Sequence, residues 1–192
     1  QLIARRVREL NIFCEIFPFN NNKYEISDYK ALILSGSPYS VRSKDSLKIN
    51  MDNFRRVLPV LGICYGAQLL AHNSGGEVKA SKTREYGRAN LQSIDKRNIL
   101  FTDIQDSSQV WMSHADTIFK LPPSTKRIAS TKDVENAAFQ FNGENTFGIQ
   151  FHPEVYHSSD GKILLKNFLV NIANIKPNWT ASSFVDKTIC EL

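Results

Sequence analysis

Cysteine is scarce and unpatterned in this chain. The three present, Cys14, Cys64 and Cys190, are an odd number without metal-ligand spacing. That excludes a disulfide framework, offers no zinc site, and fits a reducing cytoplasm. Long hydrophobic runs are missing too: nothing approaches the roughly 18 apolar residues a membrane span needs. No basic-then-apolar leader with a small-residue cleavage site is present. Charge is not gathered into a tract, because 24 basic and 19 acidic residues, net +5, are spread along the chain. A surface for a nucleic-acid backbone needs clustered charge, with aromatics to stack bases when the strand is single. Neither nucleic acid nor membrane is expected as a partner. Internal repeats and low-complexity tracts are absent. The chain also lacks an initiating methionine and begins inside a helical pattern, whereas doubly wound domains open with a strand; a first strand missing from this sequence is the expectation.

What is present suits one soluble globular domain. Of 192 residues, 42% are apolar and 22% charged, enough for a single full core. "QLIARRVREL" places Leu2, Ile3, Val7 and Leu10 near one face of a helix. "NIFCEIF" alternates as a strand does. "KALILSGSP" and "RRVLPVLGICYG" are short apolar runs ending in glycine, and "GAQLLAHNSGG" is helical up to Gly75-Gly76. The middle changes texture. "GEVKAS", "RANLQSI", "SQVWMSH", "TKRIAST", "NAAFQF" and "TFGIQF" read as antiparallel strands and hairpins. A last helix over about 160–174 places Ile163, Leu164, Phe168 and Ile172 together. The expected fold class is α/β: a mostly parallel central sheet flanked by helices, with a smaller antiparallel sheet or hairpin region. The domain is expected over residues 1–176, and 177–192 read as a linker.

Gly62-Ile63-Cys64-Tyr65-Gly66 sits where strand gives way to helix. A nucleophile on such a turn is pushed out at the carboxyl edge of the sheet, and flanking glycines let backbone pass where side chains would collide. The positive end of the following helix favours a thiolate, and its free N–H groups can hold an oxyanion. The Tyr65 N–H is one candidate donor; the loop "SGSP", Ser35 to Pro38, offers a second. On the pentapeptide alone, a small buried cysteine explains the residue equally well. Cys14 and Cys190 have no comparable setting and read as ordinary.

A thiol acting on a carbonyl needs a base. His152 ends the strand "TFGIQFHPE", and Pro153 keeps it extended. Residues two apart in an extended segment project to one side, so Glu154 can bond one ring nitrogen and leave the other facing the thiol. His157 reads as a surface residue and His72 as part of the last turn of its helix. His114, in "WMSHAD", belongs to a segment whose backbone can line a pocket, with Asp116 as a possible cap.

Gly62-x-Cys64-x-Gly66-x-Gln68 followed far downstream by His152-Pro153-Glu154 resembles the class I glutamine amidotransferase domain over essentially the whole chain. The resemblance implies a Cys64, His152, Glu154 triad hydrolysing the side-chain amide of glutamine through a thioester. It implies an oxyanion hole from the N–H groups of Gly36 and Tyr65. Gln68 and the backbone of Ser113, His114 and Ala115 would hold the amino-acid end of glutamine. "QLIARRVREL", "LSGSPYSV", "GICYGAQLLA", "REYGRA", "VWMSHAD" and "HPEVYHS" are most similar to the amidotransferase part of the GMP synthetases, which aminate XMP with glutamine and ATP. In that group an ATP pyrophosphatase domain follows, in the same chain or as a partner subunit, with an SGGxDS-type loop. No such loop occurs here, nor does the group's opening "DFGSQ"-like turn. The resemblance therefore implies no cofactor in this chain. ATP and magnesium would belong to the absent synthetase domain, with a homodimer among the assemblies open to the full-length protein.

Three rival readings use the same residues. The glutaminase part of another biosynthetic pathway is countered by "WMSHAD" and "REYG". A γ-glutamyl hydrolase would prefer γ-glutamyl peptides to free glutamine. A non-catalytic docking module with this fold would have no physical need for thiol, imidazole and carboxylate together. No metal is expected, because the histidines and carboxylates lack ligand spacing.

Overall fold

The structure, a computed structural model, describes residues 1–20, 25–44, 46, 47 and 49–182, without the side chains of residues 52 and 82–85. Cys190 and most of the linker expected over 177–192 lie outside the described residues.

The described elements run α1 (Leu2–Arg8), β1 (Leu32–Leu34), β2 (Val60–Ile63), α2 (Tyr65–Asn73), β3 (Glu77–Ile94), β4 (Gln109–Lys120), β5 (Thr125–Thr131), β6 (Ala138–Phe141), β7 (Thr146–Ile149) and α3 (Gly161–Lys166). α3 continues as a wider π-type turn over Asn167–Ile172. One seven-stranded sheet orders them β1-β2-β7-β6-β5-β3-β4. It is a mixed sheet: β2 lies parallel to β1 on one side and to β7 on the other. The β7-β6, β6-β5, β5-β3 and β3-β4 pairs are antiparallel. The parallel part is thus three strands wide, and the turn-rich middle of the sequence supplies the antiparallel remainder.

Two expectations are corrected. Residues 11–17 alternate in sequence but form no strand. A strand needs a partner ladder, and here backbone groups bond elsewhere: Asn11 O accepts from Trp179 N at 2.8 Å, and Cys14 O accepts from Arg8 Nη2 at 2.6 Å. Phe13, Ile16 and Phe17 remain at the surface beside a groove of about 530 Å³ that Trp179 also lines. Secondly, the separate strands read at "GEVKAS" and "RANLQSI" are one long strand, β3, whose register against β4 slips between Ala80 and Glu85. In α1 the buried residues are Ala4 and Val7, while Leu2 is exposed.

Alternation along β2 and β7 divides the core. Leu61, Ile63, Phe147 and Ile149 join Val7 of α1 and Leu164, Leu165 and Phe168 near the C-terminal helix. Val60 joins Ala67, Leu70 and Ala71 of α2 with Phe139 and Phe141. Burying apolar side chains on both faces at about 25 cal/mol per Å² makes this the rigid centre of the molecule. The carboxyl ends of β2 and β7, side by side, deliver Cys64 and His152 to one edge. Among the described residues no helix is long and apolar enough to cross a membrane.

Candidate active site

β2 is buried along its whole length, and the chain then turns sharply at Cys64, whose φ is 53° and ψ −106°. A non-glycine residue held there costs energy that the surroundings must offset. They do so at both backbone groups. Cys64 N donates to Ile149 O at 2.8 Å, and Cys64 O accepts from Gln68 N at 3.0 Å. The flanking glycines are required by contact. A Cβ on Gly62 would lie 2.7 Å from Ala67 N, and one on Gly66 would lie 2.3 Å from Leu34 O. The first turn of α2 therefore presses onto both β2 and β1, with Cys64 at its N-terminus and only 5% exposed.

His152, expected at the end of its strand, lies three residues beyond β7, which ends at Ile149. Its N–H donates to Trp111 O at 2.9 Å, and its carbonyl accepts from Ser158 Oγ at 2.5 Å. Nδ1 lies 2.8 Å from Glu154 Oε1, so Nδ1 keeps its proton toward the carboxylate and Nε2 is the nitrogen left to take or give one. Burial pulls the imidazole pKa down, but hydrogen bonds to Cys64 and Glu154, with their negative charges, outweigh it and push it up to about 10. Glu154 is buried, and its second oxygen, Oε2, has no hydrogen-bond partner among the described residues.

The other candidates gather at the same edge. A Cβ on Gly36 would stand 3.2 Å from His152 Cε1 and 3.7 Å from Cys64 Cβ, which puts the Gly36 backbone beside both. Tyr65 opens α2 and is buried, its hydroxyl accepting from Leu47 N at 3.0 Å. Cys64 Sγ approaches Ser113 O at 3.7 Å. Gln68 is buried and donates through Nε2 to Asp116 O at 2.8 Å, so its side chain braces α2 against β4. On β4, Ala115 is exposed and Ser113 half-buried, while His114 between them points inward and is 4% exposed. Burial pushes the His114 imidazole down to about 4, opposed by a hydrogen bond with the Asp116 backbone and reinforced by the charge of His152. It is neutral at pH 7.

Asp116 lies within β4, and its side chain serves as an ion-pair partner rather than as a cap. Its buried carboxylate accepts from Ser40 Oγ and from Arg42 at 3.2 and 2.8 Å, tying the loop after Gly36 to β4. The signal was legible in principle: β4 buries alternate residues from Val110 to Ile118, and an aspartate in that phase needs a cation. The partner, Arg42, could not be named from sequence. His72 lies exposed in the last turn of α2. His157 is half-buried rather than free at the surface and stacks on Trp111 with centroids 4.8 Å apart. No group of three or more His, Cys, Asp or Glu able to hold a metal occurs among the described residues.

A thiol on a strained elbow, a hydrogen-bonded imidazole and a buried carboxylate thus meet at one edge of the sheet, with the Gly36 backbone beside them. This is the equipment of acyl transfer at an amide. Comparison with known proteins points the same way. Residues 1–172 match the family profile of "Glutamine amidotransferase class-I". The chain is 58% identical, over all 192 residues, to the glutamine-hydrolyzing GMP synthase of Flavobacterium psychrophilum. It is 57% identical over its whole length to that of Christiangramia forsetii. It spans 38% of the length of each of these relatives. Among solved structures, a Thermoplasma acidophilum protein provisionally named as one subunit of a GMP synthase superposes with a TM-score of 0.75 at 26% identity, covering 90% of this chain and 87% of that one. A glutamine amidotransferase from Thermotoga maritima shares the fold, with a TM-score of 0.59 at 22% identity over 82% of this chain and 70% of its own.

Proposed function

Because the chain belongs to the class-I glutamine amidotransferase family, we propose that it hydrolyses the side-chain amide of glutamine and supplies the ammonia for amination of XMP to GMP. The observation that carries the chemistry is the His152 Nδ1 to Glu154 Oε1 contact of 2.8 Å beside a thiol on a strained turn. The thiol proton of Cys64 passes to His152 Nε2 as Sγ attacks the amide carbon, forming a C–S bond while the carbonyl oxygen takes the negative charge. The N–H groups of Gly36 and Tyr65 receive that charge. His152 then gives its Nε2 proton to the amide nitrogen, the C–N bond breaks, and ammonia leaves a γ-glutamyl thioester. Water attacks the thioester with His152 as base, and glutamate departs as the C–S bond breaks. Glu154 holds the ring so that Nε2 faces the sulfur throughout. Gln68 and the backbone of Ser113, His114 and Ala115 position the amino-acid end of the substrate.

Use of the ammonia belongs to a synthetase domain, in the same polypeptide or a partner subunit, where ATP and magnesium act. The coverage of the relatives, 38% of their length, supports that division. The test is labelling with the glutamine-analogue electrophile 6-diazo-5-oxo-norleucine, followed by mapping of the modified residue by mass spectrometry. Modification of Cys64 alone, blocked by glutamine, is the expected result. Modification elsewhere, or modification that glutamine does not compete for, would overturn the assignment.

A further inference from the structure

Glu154 reaches His152 from a turn rather than from a strand, so something outside β7 must hold that turn. Its inner side is held by the His152 backbone bonds to Trp111 and Ser158. Its outer side depends on the first helix. Arg6 of α1 donates from Nε to the Glu154 carbonyl oxygen at 2.9 Å, across 148 positions of sequence. The guanidinium is steadied in turn by Glu9, one helical turn on, whose Oε2 accepts from Arg6 Nη1 at 2.8 Å. Among the described hydrogen bonds, Arg6 is the partner of the Glu154 carbonyl. The carboxylate itself is fixed at one oxygen only, because Oε1 meets His152 while Oε2 is buried without a partner among the described residues. A carboxylate with one bond takes its direction largely from its backbone, and the bond orienting that backbone is charge-assisted, which makes it shorter and stronger than a neutral one.

We propose that Arg6 is a positioning residue for the His152–Glu154 pair: it clamps the Glu154 peptide to α1 and thereby aims the carboxylate at the imidazole. This rests on the catalytic reading of that pair but concerns a residue outside it. Arg6 stays half-buried beside the turn, its side chain 29% exposed, and touches no reacting atom. Its effect falls on geometry, where a displacement of about 1 Å can cost on the order of a hundredfold in rate.

The test combines spectroscopy with turnover in Arg6→Met and Arg6→Lys variants of this chain. The His152 Nδ1 proton, assigned by its loss in Glu154→Gln, gives a downfield resonance that reports the His152–Glu154 bond directly. In Arg6→Met that resonance is expected to vanish or exchange at least about tenfold faster. Glutamine kcat should fall roughly ten- to a hundredfold with KM within about threefold. Arg6→Lys keeps the charge and should restore part of both. An unchanged resonance and unchanged kcat in a folded Arg6→Met sample would overturn the proposal. Should Arg6→Met lose its dispersed amide spectrum, Glu9→Gln loosens the same clamp more gently; there a weakened resonance supports the proposal and an unchanged one overturns it. Failure of the wild-type chain to turn over glutamine would count against the functional reading, while the resonance would still decide the role of Arg6.

Discussion

Gly161 lies directly against Pro153: a Cβ at residue 161 would stand 1.9 Å from the Pro153 carbonyl oxygen. The start of α3 is therefore the floor on which the His152-Pro153-Glu154 turn rests. Gly161→Ala should displace that turn, lowering stability by about 1–3 kcal/mol through overpacking and reducing glutamine turnover together with it. Urea unfolding and glutamate release measure the two effects. Wild-type values for both would show that the turn moves freely at no cost.

The bond between Glu154 and His152 sets a pH dependence. Burial alone would lower the His152 pKa, but hydrogen bonds to Cys64 and Glu154 raise it to about 10. Glu154→Gln removes one of the raising charges, so His152 loses its proton at lower pH. The alkaline limb of the kcat profile should shift toward neutrality, with kcat at its optimum down by roughly a hundredfold or more. Some activity survives, because Glu154 neither makes nor breaks a bond to substrate. An unmoved limb would reduce Glu154 to a structural residue.

His114 is expected to weaken the fold in acid. Its folded-state pKa, lowered to about 4 by burial, lies below the ordinary value near 6.5. Between these values the unfolded chain binds the proton more readily, so stability falls as pH drops from about 6.5 to 4 and stays reduced below that. The loss is on the order of 1–3 kcal/mol for one buried group. Urea midpoints from pH 7 to 4 should fall less steeply in His114→Gln than in the wild type. Parallel curves would mean that another group carries the acid sensitivity.

Asp116 anchors the loop that follows Gly36 through Ser40 and Arg42. Asp116→Asn keeps the shape but removes the charge, and should cost about 1–3 kcal/mol, as for other hydrogen bonds to charged groups. Because Gly36 stands next to Cys64 and His152, kcat should fall in the same variant. Arg42→Ala, which leaves the buried Asp116 carboxylate without its cation, should show the same direction with an equal or larger loss. The comparison is made by kinetics and urea unfolding of both variants, and opposite directions would refute the anchor.

Much of this site was written locally. Glycines beside a cysteine at a strand-to-helix junction, and a histidine held extended by proline with a glutamate two positions on, are relations within a few residues. Short-range sterics decide the first; in the second, Glu154 meets His152 from a turn beyond β7, so nearness in sequence and not strand alternation makes the pair. The same local rules misread residues 11–17, because alternation states what a segment could pair with and not whether a neighbouring ladder exists. They also divided β3 in two, since strand pairing carries the backbone through a slip in register that breaks the sequence pattern.

Only the tertiary structure brought Cys64 and His152 together, by laying β2 and β7 side by side in parallel register and bonding Cys64 N to Ile149 O at 2.8 Å. It alone matched Asp116 to Arg42, 74 positions away, and Arg6 to Glu154, 148 positions away. A sequence specifies that a buried carboxylate needs a cation and a turn needs support. Which of several arginines satisfies each need depends on chain crossing and sheet order, and those are settled by burying the two faces of one sheet at once.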